Sequence, residues 1–153
     1  MKIRYLVMDV DGTLTDGKIH MSAGGELFKS FDIKDGLGIH DLLPRYGITP
    51  VIITGRVSEI LLKRCSELGI KDIYQGIGDK VAVLDKYFLS VGISAECMAY
   101  IGDDLNDLEA MKKCGLKGCP SDAAREIKSI CDFISVKNGG DGAVRDFIEF
   151  IIK

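Results

Sequence analysis

The chain has 153 residues, 46% of them hydrophobic and 28% charged, with a net charge of −3. That length suits a single domain, residues 1–153, able to bury a full core. The weak acidity leaves no electrostatic footprint for nucleic acid or an anionic membrane, so an anionic ligand must be held by a local cation cluster or a metal.

Five cysteines, Cys65, Cys97, Cys114, Cys119 and Cys131, are odd in number and lack C-x-x-C spacing. A disulfide framework or zinc site is not expected; reduced thiols in a cytoplasmic protein are. The N-terminus carries acids by Asp9 and no small-residue cleavage pattern, so a secretory leader is not expected. No apolar run approaches the length of a membrane span.

The first element is an apolar run, Ile3 to Val10, stopped by Asp11-Gly12. Its length and its Ile, Val and Leu content predict a buried parallel strand. Two carboxylates, Asp9 and Asp11, stand at its C-terminal end, where open α/β sheets bind ligands. In a strand they would face opposite ways; a break at Asp11 lets both converge, and a divalent cation would make the pair tolerable.

Next come two short strand-like runs, Lys18 to Met21 and Glu26 to Phe31, around Ser22-Ala23-Gly24-Gly25. They predict a projecting β-hairpin with more apolar residues than a lone hairpin tolerates in water, which calls for a partner surface. Asp35 and Gly36 open a predicted helix to about Arg45, with Leu37, Ile39 or His40, Leu42 and Leu43 inward. Val51 to Ile53 reads as the second strand of the main sheet, ending in Thr54-Gly55-Arg56.

Val57 to Leu68 has helical spacing, with Val57, Ile60, Leu61, Arg64 and Leu68 tracking one face and Gly69 as the C-cap. Asp72 to Tyr74 is a short strand. Asp79 caps a helix to about Ser90, with Val81, Leu84, Phe88 and Val91 on one face. Lys80 in its first turn opposes the helix dipole, which suggests an ammonium aimed back at the strand ends. Met98 to Ile101 is a strand stopped by Gly102-Asp103-Asp104-Leu105-Asn106-Asp107, with a helix after it that turns Leu105, Leu108 and Met111 inward. The chain closes with a strand (Leu116 to Cys119), a helix (Ala123 to Ile130, capped by Ser121 or Asp122) and a strand (Asp132 to Val136). A glycine-rich loop (Asn138 to Gly142) and a last helix (Ala143 to Ile152) follow. The βα alternation predicts an α/β fold, a Rossmann-like doubly wound parallel sheet.

Four features fall where such a fold gathers its strand ends: the Asp9/Asp11 pair, Thr54-Gly55, Lys80, and the Asp103/Asp104/Asp107 cluster. Each alone has a plainer explanation as a turn, a helix cap or a surface charge. A phosphate dianion approaching three or more carboxylates is repelled, and a metal plus one lysine is the smallest set that reverses this. Between Thr15 and Thr54 there is room for only a hairpin and a helix, and between Lys80 and Asp103 for a helix remainder and a strand.

In this order the motifs resemble the haloacid dehalogenase superfamily, whose first motif is D-x-D-G-T. The resemblance implies that Asp9 is the nucleophile, forming an aspartyl-phosphate, and that Asp11 is the general acid and then base. It implies Mg2+ held by Asp9, the main-chain carbonyl of Asp11, and Asp103, with Asp104 and Asp107 acting at one remove or through water. Thr54 and the Gly55 N–H would hold phosphoryl oxygens, and Lys80 would neutralise charge on Asp9 and the phosphoryl group. Members usually carry a cap domain, for which this chain has no room.

A narrower resemblance lies in D-V-D-G-T-L-T-D-G, F-D-I-K-D-G-L-G-I, I-I-T-G-R, Y-Q-G, Y-I-G-D-D-L-N-D and G-G-x-G-A-V-R. These stretches are similar to the 3-deoxy-D-manno-octulosonate 8-phosphate (KDO 8-phosphate) phosphatases. That resemblance implies a phosphorylated sugar-acid substrate on the route to lipopolysaccharide, and a homotetramer in which hairpins form the interface and neighbouring subunits complete each site. It would place Asp32, Ile33, Lys34, Asp35, Gly36 and His40 along the substrate pocket, Arg56 and Arg64 toward the sugar carboxylate, and the Gly139 to Gly142 loop near a neighbouring site. His40 departs from the arginine of relatives, and the tail beyond the last helix is short. Two alternatives stand beside this one. A phosphatase for nine-carbon sialic-acid-type 9-phosphates would favour Glu at the position of Arg56. A receiver-like phospho-switch would carry its phosphoaccepting Asp on a later strand.

Overall fold

The computed structural model describes residues 2–153. Six parallel strands form the main sheet: β1 (Tyr5–Met8), β4 (Thr49–Ile53), β5 (Asp72–Tyr74), β6 (Met98–Ile101), β7 (Leu116–Cys119) and β8 (Phe133–Ile134), in the order β5-β4-β1-β6-β7-β8. The chain leaves β1 toward β4 and leaves β6 toward β7, so the connections diverge and open a crevice at the C-terminal ends of β1 and β6. Met8 pairs with Ile101, which brings Asp9 level with the Gly102-Asp103 turn.

β1 shows why this sheet forms. Leu6 and Met8 face one layer and Val7 the other, all fully buried. The first layer packs α3 (Glu59–Leu68) and α7 (Ala143–Ile152) through Leu61, Cys65, Val144, Phe147 and Ile148. The second packs α4 (Lys80–Val91), α5 (Leu108–Lys112) and α6 (Arg125–Ile130) through Leu84, Tyr87, Met111 and Ile127. Pro50 sits inside β4 without breaking it, because pairing with β5 begins only at Val51. All five cysteines are free thiols.

The hairpin is β2 (His20–Ser22) and β3 (Gly25–Phe28), a separate two-stranded sheet with Met21, Leu27 and Phe28 exposed. The next helix differs from expectation. It starts two residues earlier, as α1 (Ile33–Leu37), because Asp32 accepts hydrogen bonds from the Lys34 and Asp35 N–H groups. It then widens into a π turn over Gly38–Leu42 before α2 (Leu43–Arg45), with Leu43 N–H reaching back to Gly38 O. Pro44 lacks an N–H and crowds the carbonyl of the preceding turn, which accounts for the widening.

Leu37, Val57 and Leu105, expected inward, are exposed. Val57 lies outside α3, whose cap is Ser58, and Leu105 lies in a 3₁₀ turn before α5, where helical spacing does not apply. Neither Ser121 nor Asp122 caps α6; its cap is Ala124, without a side-chain hydrogen bond, and the Asp122 carboxylate accepts from Gly139 N–H instead. The last strand is two residues long rather than five.

Candidate active site

β1 ends at Met8, and the N–H groups of Thr13, Leu14 and Thr15 all converge on the Val10 carbonyl. The chain therefore coils tightly after Val10, and the two carboxylates separate. Asp9 is 4% exposed and faces the crevice. Lys80 donates to Asp9 Oδ1 at 2.7 Å and to Asp107 Oδ1 at 2.7 Å. The lysine expected to oppose the helix dipole is thus a buried cation shared by two aspartates. Burial alone would lower its pKa, but Asp107 and Asp9 raise it above the usual value.

Asp103 completes the group. Its Oδ1 accepts from the Thr13 hydroxyl at 2.9 Å. A Cβ on Gly12 would fall 2.0 Å from Asp103 Oδ2, so the loop after β1 and the loop after β6 meet only because residue 12 is glycine, at φ +94°. Carboxylate oxygens of Asp9, Asp103 and Asp107 lie within 4.8 Å of one another. Burial and then Asp107 push Asp9 up to about 6 despite Lys80. Burial and then Asp9 push Asp103 up to about 8. Three such groups around one ammonium carry excess negative charge, and hard oxygen donors at this spacing fit a magnesium-like cation.

Asp107 has little capacity left for direct ligation. Its Oδ1 takes Lys80 and the Tyr100 hydroxyl (2.9 Å), and its Oδ2 takes the N–H groups of Asp103 and Asp104. It holds the β6 loop and the lysine in place. Asp104 is exposed and caps the following turn, its Oδ1 accepting from Leu105 N–H, which is compatible with a role at one remove from a metal. Asp11 stands apart from the cluster and pairs with Lys29 at 2.5 Å.

Thr54 is buried at the end of β4, beside β1, and its hydroxyl has no protein hydrogen-bond partner among the described residues. Gly55 and Arg56 are exposed immediately after it. Of the remaining expected substrate contacts, Asp32, Asp35, Gly36 and Arg64 line one small cavity with Phe31 and Leu68, and Ile33, Gly36, His40 and Arg64 line the groove beside it. Ile33 and Lys34 are exposed on α1, and Asp32 is spent on capping it. Asp35 is buried and its Oδ1 accepts from Arg145 N–H at the start of α7, so it joins two helices, while its Oδ2 has no hydrogen-bond partner among the described residues. His40 turns its ring to Asp41 and out toward solvent. Arg64 lies over the Phe31 ring and pairs with Glu67 at 3.3 Å, alongside Gly36. The Gly139-Gly140 loop packs on this chain's own loop after β1, with Gly140 N–H donating to Thr13 O.

Lys29, Glu26, Ser58, Gln75 and Tyr100 were not foreseen. Tyr100 had one readable signal, a hydroxyl inside an otherwise apolar strand, which demands a buried acceptor. The others act through contacts between separate loops.

A family model described as haloacid dehalogenase-like hydrolase matches residues 57–148. The chain is 39% identical over 151 residues, 99% of its length and 83% of the relative's, to the 3-deoxy-D-manno-octulosonate 8-phosphate phosphatase KdsC of Haemophilus influenzae. The cobalt-bound structure of the phosphatase from that organism superposes with a TM-score of 0.94 over 99% of this chain and 88% of the other, at 39% identity. The Moraxella catarrhalis phosphatase, solved with magnesium, phosphate and KDO, superposes with a TM-score of 0.93 over 98% and 86%, at 41% identity.

Proposed function

The chain belongs to the haloacid dehalogenase-like hydrolases, and from that membership we propose that it hydrolyses KDO 8-phosphate to KDO and inorganic phosphate with magnesium. It is a phosphoric monoester hydrolase. The observation that carries the chemistry is the meeting of Asp9, Asp103, Asp107 and Lys80 in the β1/β6 crevice. The choice of substrate rests on the similarity to the Moraxella catarrhalis enzyme.

Asp9 is the nucleophile: Lys80 holds one of its oxygens, which leaves the other to attack phosphorus. Asp11 gives a proton to the departing sugar oxygen, then takes one from the water that hydrolyses the aspartyl-phosphate. Thr54, with its hydroxyl uncommitted, and the Gly55 N–H hold phosphoryl oxygens. Asp9, Asp103 and the Asp11 carbonyl would hold Mg2+, which would supply the positive charge that lets a phosphoryl group approach these carboxylates. Arg56 recognises the sugar carboxylate.

Among the described residues no helix is long and apolar enough to cross a membrane. A cytoplasmic location fits the five free thiols. A homotetramer fits the hairpin, whose Met21, Leu27 and Phe28 are 67, 58 and 46% exposed and need a partner surface. The test is phosphate release from KDO 8-phosphate and from a nine-carbon sialic-acid 9-phosphate, with and without magnesium, for wild type and Asp9→Asn. Magnesium-dependent preference for the eight-carbon ester, lost in Asp9→Asn, is the expected result. Turnover that survives Asp9→Asn overturns the mechanism.

A further inference from the structure

Lys29 follows the projecting hairpin, yet its side chain is only 4% exposed. A buried ammonium is costly unless its charge is met. Here two carboxylates meet it: Asp11 Oδ1 at 2.5 Å and Glu26 Oε1 at 3.0 Å. Burial alone would lower the Lys29 pKa, and these two partners raise it. Glu26 in turn accepts from the Ser58 hydroxyl at 2.6 Å through Oε2, and Ser58 N–H donates to Gln75 Oε1 at 2.8 Å. One polar chain therefore joins the nucleophile loop, the hairpin, the loop after β4 and the loop after β5.

This chain of contacts is not needed to pair the hairpin strands, which are joined by their own backbone bonds over His20–Ser22 and Gly25–Phe28. Its end point is the Asp11 carboxyl. Lys29 takes one oxygen of that group, and the other has no protein partner among the described residues.

We propose that Lys29, held by Glu26, is a positioning residue for proton transfer, fixing Asp11 so that its free oxygen faces the leaving-group oxygen. The inference rests on the assignment of Asp11 as the acid and base. In the first step the Asp9–phosphorus bond forms, the phosphorus–sugar oxygen bond breaks, and the Asp11 proton goes to the sugar oxygen. In the second, Asp11 takes a proton from water as the water oxygen bonds to phosphorus and the Asp9–phosphorus bond breaks. A carboxyl free to rotate would meet neither oxygen reliably.

The test compares an ester that needs leaving-group protonation with one that does not. Single-turnover release of KDO from KDO 8-phosphate and of nitrophenolate from p-nitrophenyl phosphate is measured for wild type, Lys29→Met, Lys29→Arg, Glu26→Gln and Asp9→Asn. Single turnover isolates departure of the leaving group. Lys29→Met is expected to slow KDO release about 10- to 100-fold, and nitrophenolate release no more than about 3-fold. Lys29→Arg should recover most of the loss, and Glu26→Gln should show the same selectivity at smaller size. Equal slowing of both substrates, or no slowing of either, overturns the proposal. Should Lys29→Met fail to fold, the selectivity in Glu26→Gln decides. Asp9→Asn must abolish both reactions; if it does not, the phosphatase mechanism fails whatever the Lys29 variants do.

Discussion

Burial and mutual repulsion raise Asp9 to about 6 and Asp103 to about 8 in the protein without metal, against an ordinary carboxylate value of 3.8. The folded state then holds protons that the unfolded chain has released. Stability of the metal-free protein therefore falls as pH rises from about 4 to 8. Magnesium needs both groups ionised, so it releases protons on binding and binds better as pH rises. The increase in melting temperature on adding magnesium is expected to be larger at pH 8 than at pH 6, and calorimetry in two buffers should detect the released protons. Lys80→Met leaves Asp9 and Asp107 buried without their cation. It should cost about 3–5 kcal/mol in the metal-free protein, read from urea unfolding, and abolish turnover.

Two contacts between elements set the frame around these residues. Asp35 on α1 accepts from the Arg145 N–H at the start of α7, and burial pushes its carboxyl up to about 7. Its second oxygen is buried without a partner. The sign is again that of a raised acid: no penalty below about pH 4, a growing one through pH 7, the full one above. Asp35→Asn keeps the accepting oxygen and removes the charge. It should stabilise the protein at pH 8, by a few kcal/mol at most, and be near neutral at pH 4; urea midpoints at the two pH values check this. Magnesium should leave the effect intact, which separates it from the site carboxylates. The second contact is the Gly139 loop on the nucleophile loop, where a Cβ would fall 1.9 Å from Gly12 O. That clash is with backbone and cannot be relieved by a side-chain rotation. Gly139→Ala should destabilise by about 2 kcal/mol or more and lower kcat by displacing the loop that carries Asp11.

The described residues form a Rossmann-like sheet covered by helices on both faces, with the hairpin as a separate two-stranded sheet and no cap domain among them. On the proposed tetramer, neighbouring subunits would close each site. Placing charge on the exposed hairpin face, as in Met21→Glu with Phe28→Glu, should dissociate the assembly in sedimentation velocity and raise KM, while the monomer keeps its circular dichroism. An unchanged sedimentation coefficient in the double variant would place the interface elsewhere. A receiver-like switch would carry its phosphoaccepting Asp on a later strand, whereas the D-x-D pair here follows β1 and the chain belongs to the haloacid dehalogenase-like hydrolases.

Local patterns along the chain were sufficient for the strand sequence, the parallel α/β class, the Gly69 cap, and the identity of Asp9, Lys80 and Asp103 as groups at the strand ends. These follow from hydrophobic period and from turn chemistry, both properties of neighbours in sequence. What the chain alone left open was how the acids divide. Asp9, Asp103 and Asp107 share one centre, Asp11 pairs with Lys29, Asp104 becomes a cap, and Asp35 a helix joint. Spacing placed all six near strand or helix ends but carried no information on their partners. Those partners lie up to 110 residues away, as with Asp35 and Arg145. Only folding settles which donor reaches which acid, because each buried carboxylate takes the cation or N–H that the packed layers bring within reach.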